Sequence, residues 1–433
     1  MNSPLKVLML GWEFPPVING GLGIACLGMA KAMAKKAELT LLLPKSDPNF
    51  LVDGVDIIGL NNQEIKEIRK SISKSVYDQF VSNVERVPVS LDPYYGSEGY
   101  SEKQFEEQNS WEKFKETIEA GDLSIFKVGE LYDDNVAEKV IQFSKYAAAI
   151  ALNKDFDVIH AHDWMTFLAG VEIKRLTGKP LAVHVHALQY DRVGVQDKGW
   201  IYDLEHYGMQ QADMVIPVSH YTGNVCRDHY GVDPQKIFPV HNGAEPVEVY
   251  HTEKGFPEHL ILFLGRLTHQ KGPEAFLEIA SKVFEKEKNV RFVMAGTGDK
   301  LKPLIEKGAY RQIGDKFHFT GFLTKTKVND LLAMADVYCM PSVSEPFGLS
   351  ALEATQFGIP AVISKQSGVA EVLDSALKAD FWDIDLLADH IVRLVNDKEL
   401  REKLVKQGIE EMKTLSWDDA VDKILTIFTK HLS

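Results

Sequence analysis

Two distant stretches of this chain begin alike, and that repetition constrains the fold more than any other feature. Residues 5–11 (LKVLMLG) form an apolar run closed by glycine. A loop with Pro15, Pro16, Gly20, Gly21 and Gly23 follows, then apolar positions at helical spacing over 24–37 and a second apolar run at 38–44. Residues 259–265 (HLILFLG) open the second half in the same manner. There the loop is RLTHQKG (266–272), the helical stretch is 273–287 with proline first, and the next run is VRFVMAG (290–296). Short unbroken apolar runs mark strands buried on both faces, and proline suits a helix start because its missing N–H would have had no partner there. Similar runs stand at 157–162, 181–186, 213–218, 336–341 and 360–363, with helical stretches between them. Such alternation predicts an α/β chain of parallel sheets covered on both faces.

At 433 residues the chain exceeds what one core supports. The reading is two Rossmann-like halves joined near 241–256. Residues 1–245 make the first, with a charged, solvated insertion over about 60–150, and residues 246–412 make the second. Residues 413–433 carry a terminal amphipathic helix. A formal net charge of −14 argues against a nucleic-acid or anionic-membrane binder. Cys26, Cys226 and Cys339 form no CxxC, which suggests neither a disulfide framework nor a zinc knuckle. With no leader pattern and no long apolar segment, a cytoplasmic location is expected.

The chemistry concentrates in SEPFGLSALEA (344–354). The run before it reads as a strand, so this loop sits at a strand's carboxyl end, where open parallel sheets bind ligands. A helix then starts near Leu349. The N–H groups of Gly348, Leu349 and Ser350, with the helix dipole, favour an anion such as phosphate. Glu345 and Glu353 flank that point and can accept hydrogen bonds from hydroxyls. One phosphate between two hydroxyl-binding acids suits a nucleotide sugar, although a plain loop acid and a plain helix acid would read the same way. Arg266 and Lys271 follow the strand at 259–265 and suit a diphosphate whose charge grows as it leaves.

Taken together, EPFGLSALE, GRLTHQKG, HNG (241–243) and GVAEVL (368–373) resemble the retaining glycosyltransferases of family 4, which have the GT-B fold and border on the glycogen and starch synthases. The resemblance spans nearly the whole chain outside about 60–150. It implies two Rossmann-like domains facing across a cleft, with the terminal helix crossing back to the first. It implies that Glu345 faces the donor sugar, Glu353 binds the ribose, and Arg266 and Lys271 bind the diphosphate. Phe347, Gly348, Leu349 and Ser350 would line the donor, and Phe322 and Leu323 would hold the base.

In the first half, NGGLG (19–23) permits close approach to phosphate but lacks the GxGxxG spacing of a nicotinamide enzyme. By resemblance, Gly21 and Gly23 belong to the donor-phosphate loop, with Ile18 where glycogen synthases carry lysine. Two His-x-His pairs end strands: His160 with His162, and His184 with His186. Four histidines admit a metal, but no carboxylate pattern completes a site, and packing of the inner pair as core is the expectation. The resemblance puts His162 beside the transferred sugar and His186 and Tyr190 on the acceptor side. Asp155-x-Asp157 and Asp383-x-Asp385 resemble metal-binding DxD pairs, yet turn and capping roles suffice for both. The expected activity is retaining transfer of a hexosyl group, glucosyl first, from a nucleotide diphosphate sugar to a sugar or α-glucan hydroxyl, with no cofactor or metal. A lipid or cell-envelope acceptor is the alternative, and a nicotinamide oxidoreductase or a non-catalytic sugar-nucleotide sensor are further ones.

Overall fold

A computed structural model describes residues 4–18, 20–63, 123–127, 130–194, 198–250 and 252–432. The first sheet holds β1 (Lys6–Leu10), β2 (Glu38–Leu43), β3 (Val55–Gly59), β4 (Val158–His162), β5 (Leu181–Val185) and β6 (Met214–Pro217). The second holds β7 (His259–Leu264), β8 (Val290–Ala295), β9 (Phe317–Gly321), β10 (Val337–Met340), β11 (Ala361–Ser364) and β12 (Leu377–Ala379). All pairings are parallel, and the orders are β3-β2-β1-β4-β5-β6 and β12-β11-β10-β7-β8-β9. The two sheets thus have one topology, the doubly wound order in which strand direction of travel reverses between the first and fourth strands. That reversal places the loops after β1, β4, β7 and β10 at the two switch points, and these loops carry the sequence motifs.

Apolar side chains cover both faces of each sheet. Leu8, Leu10, Ile159, Ala161 and Val183 face one layer of the first sheet, Val7, Met9, Val158 and Ala182 the other. The helix Trp417–Leu432 joins the second of these layers through Val421, Ile424 and Phe428, and packs on the helix Gly21–Ala34. Phe263, Phe276, Phe292 and Phe317 make the centre of the second domain. Full burial of side chains of this size stabilises by roughly 1.5–3 kcal/mol each.

Two parts of the sequence reading change. The solvated insertion does not extend to residue 150. The helix Val136–Ala151 buries Val140, Phe143, Tyr146 and Ala147 in the first domain's core, and its inward Lys139 is paired with Asp133 at 2.6 Å. An apolar face at helical spacing outweighs the single buried charge. Most of the remaining insertion, 64–122, lies outside the described residues. Strands β3, β9 and β12 escape the apolar-run criterion because they are outer strands with partly exposed positions. The two DxD pairs are structural. Asp155 and Asp157 bind Lys6, and Asp383 caps the helix Ile384–Asn396 through the Leu386 N–H. Among the described residues no helix is long and apolar enough to cross a membrane.

Candidate active site

The second domain supplies a charged rim. β7 ends at Leu264, and Arg266 follows, exposed. A short turn, His269–Lys271, leads through Gly272 into the helix Pro273–Lys286. Gly272 has φ +67°, and a Cβ there would lie 2.1 Å from the Pro341 carbonyl oxygen, so no other residue fits. This turn aims Lys271 at Glu345, with Nζ 2.6 Å from Oε2. Ser342 Oγ donates to the same carboxylate at 3.3 Å. The Glu345 backbone lies along the chain after β11: its N–H donates to the Gln366 carbonyl and its carbonyl accepts from Gly368, both at 2.9 Å. Gly348, at φ +112°, turns the chain into the helix Leu349–Gln356.

The other residues that the sequence assigned to the donor divide by what they can offer. Ser350 Oγ accepts from Tyr338. Glu353 is paired with Lys325 at 2.6 Å, a cation that the motif does not announce. Phe322 stands 77 % exposed just past β9, with Leu323 beside it, leaving a ring face open to a planar base. The Phe347 ring, by contrast, is buried in the core and lies near His241, so only its backbone faces the loop.

The first domain meets this rim with its own helix start. Gly20 caps the helix Gly21–Ala34 and donates its N–H to Glu13 at 3.1 Å. A Cβ on Gly21 would lie 3.6 Å from the Leu349 side chain, and one on Gly23 would meet Ile18. The amino ends of Gly21–Ala34 and Leu349–Gln356 therefore face each other across the cleft. Farther along the chain, Gln189–Val193 packs against the His269–Lys271 turn, and Asp191 accepts a 2.5 Å hydrogen bond from Ser344, next to Glu345.

The histidines form one stack behind the glycine loop. His160 Nε2 lies 3.1 Å from His184 Nδ1, and His162 Nδ1 lies 2.9 Å from His186 Nε2. His160, His162 and His184 are fully buried and His186 partly so. Burial drives their pKa values down, to about 3 for His160 and His186, so the rings are neutral near pH 7. His162 Nε2 has no hydrogen-bond partner. Two groups, Cys26 with His162 and His186, and His160 with His162 and His184, bring their ligand atoms within 4.8 Å. Tyr190 stacks on His229 at 4.1 Å.

Besides Glu13, which accepts from Gly20, three buried acids were not singled out by sequence. Asp163 has φ +59°, unusual for a non-glycine residue, and accepts from the N–H groups of His186 and Ala187. Burial raises its pKa to about 7. Burial likewise raises Glu205 to about 8, and Glu205 binds Tyr230 and the Gln189 N–H. Asp191 is also shifted up by burial. Asp163 lies in the HDW segment from which the resemblance drew the role of His162. Nothing local in the sequence pointed to the other two.

Two doubly wound sheets with nucleotide-type rims facing one cleft define the GT-B class. The model for glycosyl transferases group 1 matches residues 249–411, and that for glycosyltransferase family 4 matches 112–248. The chain belongs to the GT-B glycosyltransferases. An uncharacterised glycosyltransferase of Methanocaldococcus jannaschii is 26% identical, covering 98% of both chains. A glycogen synthase of Mycobacterium tuberculosis is 23% identical, covering 85% of this chain and 80% of its own. The fold also matches Anabaena HepE, solved with UDP-glucose, at TM-score 0.65 and 14% identity over 98% of this chain and all of that one.

Proposed function

We propose that the protein is a retaining hexosyltransferase that moves a hexosyl group, glucosyl first, from a nucleotide diphosphate sugar to a hydroxyl of a sugar or α-glucan. The observation that carries this reading is the meeting of two helix amino ends, at Gly21 and Leu349, across the cleft. Both dipoles favour an anion at one place, and Arg266 and Lys271 add formal charge beside it. A diphosphate there becomes more negative as its bond to the sugar breaks, which is the moment fixed cations help most. Lys271 would lie between that diphosphate and Glu345, leaving Glu345 to face the developing positive charge on the sugar. Glu353 would take the ribose, and Phe322 and Leu323 the base.

His162, neutral and with Nε2 unpartnered, is suited to a hydrogen bond with the sugar rather than to acid catalysis. It is buried in this closed arrangement, so it would meet the donor only as the cleft opens and shuts again. His186 and Tyr190 would border the acceptor. On one face of the sugar, the bond from its anomeric carbon to the diphosphate oxygen breaks as the acceptor oxygen bonds to that carbon. The acceptor proton passes to the departing phosphate. This scheme uses no side-chain nucleophile and no metal. The UDP-glucose bound by the HepE relative and the likeness to a glycogen synthase support the donor and acceptor classes.

The test is a thermal-shift screen of UDP-, ADP- and GDP-sugars, then product analysis with maltooligosaccharides. One donor should stabilise the protein, lengthen the glucan with retained configuration, and do so in EDTA. No stabilisation by any donor refutes the donor assignment. Loss of activity in EDTA with recovery on a divalent ion would move Cys26, His162 and His186 into a metal site.

A further inference from the structure

Glu371 lies in the second domain, outside every role assigned above, yet its carboxylate is spent on the first domain. Oε2 accepts from the His220 N–H at 2.9 Å, Oε1 from the Tyr221 N–H at 2.6 Å, and His241 Nε2 lies 2.6 Å from Oε2. His220 and Tyr221 open the helix His220–Tyr230, where the first N–H groups have no partner within the helix. A carboxylate from the other domain caps them, with charge-assisted bonds that are stronger than neutral ones.

The same helix start grips the Glu345 loop from the other side. Ser219 Oγ donates to the Pro346 carbonyl at 2.7 Å and Thr222 Oγ1 to the same oxygen at 3.2 Å. The Tyr221 hydroxyl lies 2.9 Å from Ser344 Oγ. Ser219 and Thr222 are fully buried by this contact and their own domain. Gly368 makes the approach possible, because a Cβ there would lie 2.5 Å from Ser219 Cβ and 2.3 Å from the Pro346 carbonyl oxygen. The segment Ser344–Pro346 is thus held between the first domain and residues 366–369 of its own domain.

We infer that Glu371 is a positioning residue: with Ser219, Tyr221 and Thr222 it forms an interdomain clasp that shuts the cleft and fixes the Glu345 backbone for transfer. The inference about transfer rests on the function proposed above; the clasp itself does not.

Small-angle X-ray scattering of the full chain, with donor kinetics beside it, tests this. Glu371→Ala should increase the radius of gyration and lower kcat by roughly tenfold or more, the scale of a lost hydrogen bond to a charged group. The donor KM should rise by a smaller factor than kcat falls, because Arg266, Lys271 and the helix Leu349–Gln356 stay together in the second domain and only the Gly21 helix end is drawn away. Glu371→Gln keeps the size and one acceptor, and should recover part of both losses. If the alanine variant does not fold, Tyr221→Phe, which loses only the Ser344 contact, should shift both readouts the same way to a smaller extent. A scattering profile of the variant superimposable on the wild type overturns the clasp whatever the activity. Wild-type protein that turns over no sugar nucleotide refutes the transferase reading, while the scattering comparison still decides the clasp.

Discussion

The two domains share one strand order and use their interiors differently. Behind its rim the first domain stacks four imidazoles, three of them fully buried, with Asp163, Asp191 and Glu205 nearby. The second domain is centred on phenylalanines, and among its described residues Glu345 is the one buried carboxylate. Topology therefore does not decide where a domain keeps its charge. The second domain sets Glu345 and its rim charges on an apolar frame with no buried histidine among its described residues. The first carries a titratable interior whose stability must follow pH. Each prediction below tries to break that contrast.

Lys271→Ala should have the largest effect. On the function proposed it removes the cation beside the leaving diphosphate, and it leaves the buried Glu345 carboxylate without its 2.6 Å partner. Removal of one preorganised stabilising group costs about 3 kcal/mol, or roughly 10²–10³ in kcat. The protein should stay folded. Near-normal kcat in steady-state donor kinetics would show that the second domain's rim is not the catalytic centre.

The glycines of the two first turns should respond in opposite ways. Gly272→Ala forces a Cβ to 2.1 Å from a backbone oxygen at φ +67°, and should destabilise the second domain by about 3 kcal/mol or more. Gly21→Ala meets only ordinary contact at 3.6 Å and should leave the melting temperature within a few degrees, roughly the shift expected for under 1 kcal/mol in a chain of this size. Its effect should fall on donor affinity instead. Equal melting temperatures for the two variants would remove the distinction between a turn that shapes the fold and one that serves the ligand.

What the sequence made legible follows the same division. The rim of the second domain could be read because Gly272, Pro273 and Gly348 answer backbone requirements that are local: a left-handed turn, a helix start, a close approach. The sheets could be read wherever a strand is buried on both faces, as at 158–162 and 259–264, but not at β3, β9 and β12, whose outer position mixes polar with apolar residues. The helix Val136–Ala151 was lost inside a charged stretch although its apolar face is regular. Asp191, Ser344 and Glu371 could not be found by spacing, because each has its partner in the other domain and more than a hundred positions away. The inner histidines, His160 and His184, are buried as expected, and His162 is buried with them.

His160 probes the titratable interior. Its folded pKa is pushed to about 3 by burial, below the ordinary value of 6.5. A lowered value means that the unfolded chain takes up a proton below about pH 6.5 that the folded chain refuses, so this residue weakens the fold as pH falls. His160→Gln removes that liability. The variant should be less stable than wild type at pH 7, because the His184 contact is lost, and the gap should narrow by about 2 kcal/mol on going to pH 5. Urea unfolding at the two pH values measures it. Asp163 and Glu205, with raised values, act in the opposite direction over the same range, so the difference between variant and wild type is the quantity to compare. A gap that does not change with pH would mean the imidazole is not held neutral.

The smallest effect sharpens the contrast within the second domain, between its buried acid and its rim acid. Glu345 is 5 % exposed and tied to Lys271, whereas the Glu353 side chain is 25 % exposed and paired with Lys325, itself 56 % exposed. An exposed pair of this kind contributes about 0–1 kcal/mol, so Glu353→Gln should barely move the melting temperature. If Glu353 binds the ribose equally well before and during reaction, its loss is one of uniform binding. The donor KM should then rise several-fold, roughly the share of a charged hydrogen bond that glutamine cannot keep, with kcat little changed. Glu345→Gln should do the reverse, lowering kcat with a smaller change in KM, because positive charge develops opposite it only as the sugar leaves. Steady-state donor kinetics and melting curves on the two variants decide the matter. If both lower kcat alike with KM unchanged, the ribose is held elsewhere and Glu353 acts through the loop. If both merely lose activity in step with melting temperature, the two acids shape the loop and neither touches the donor.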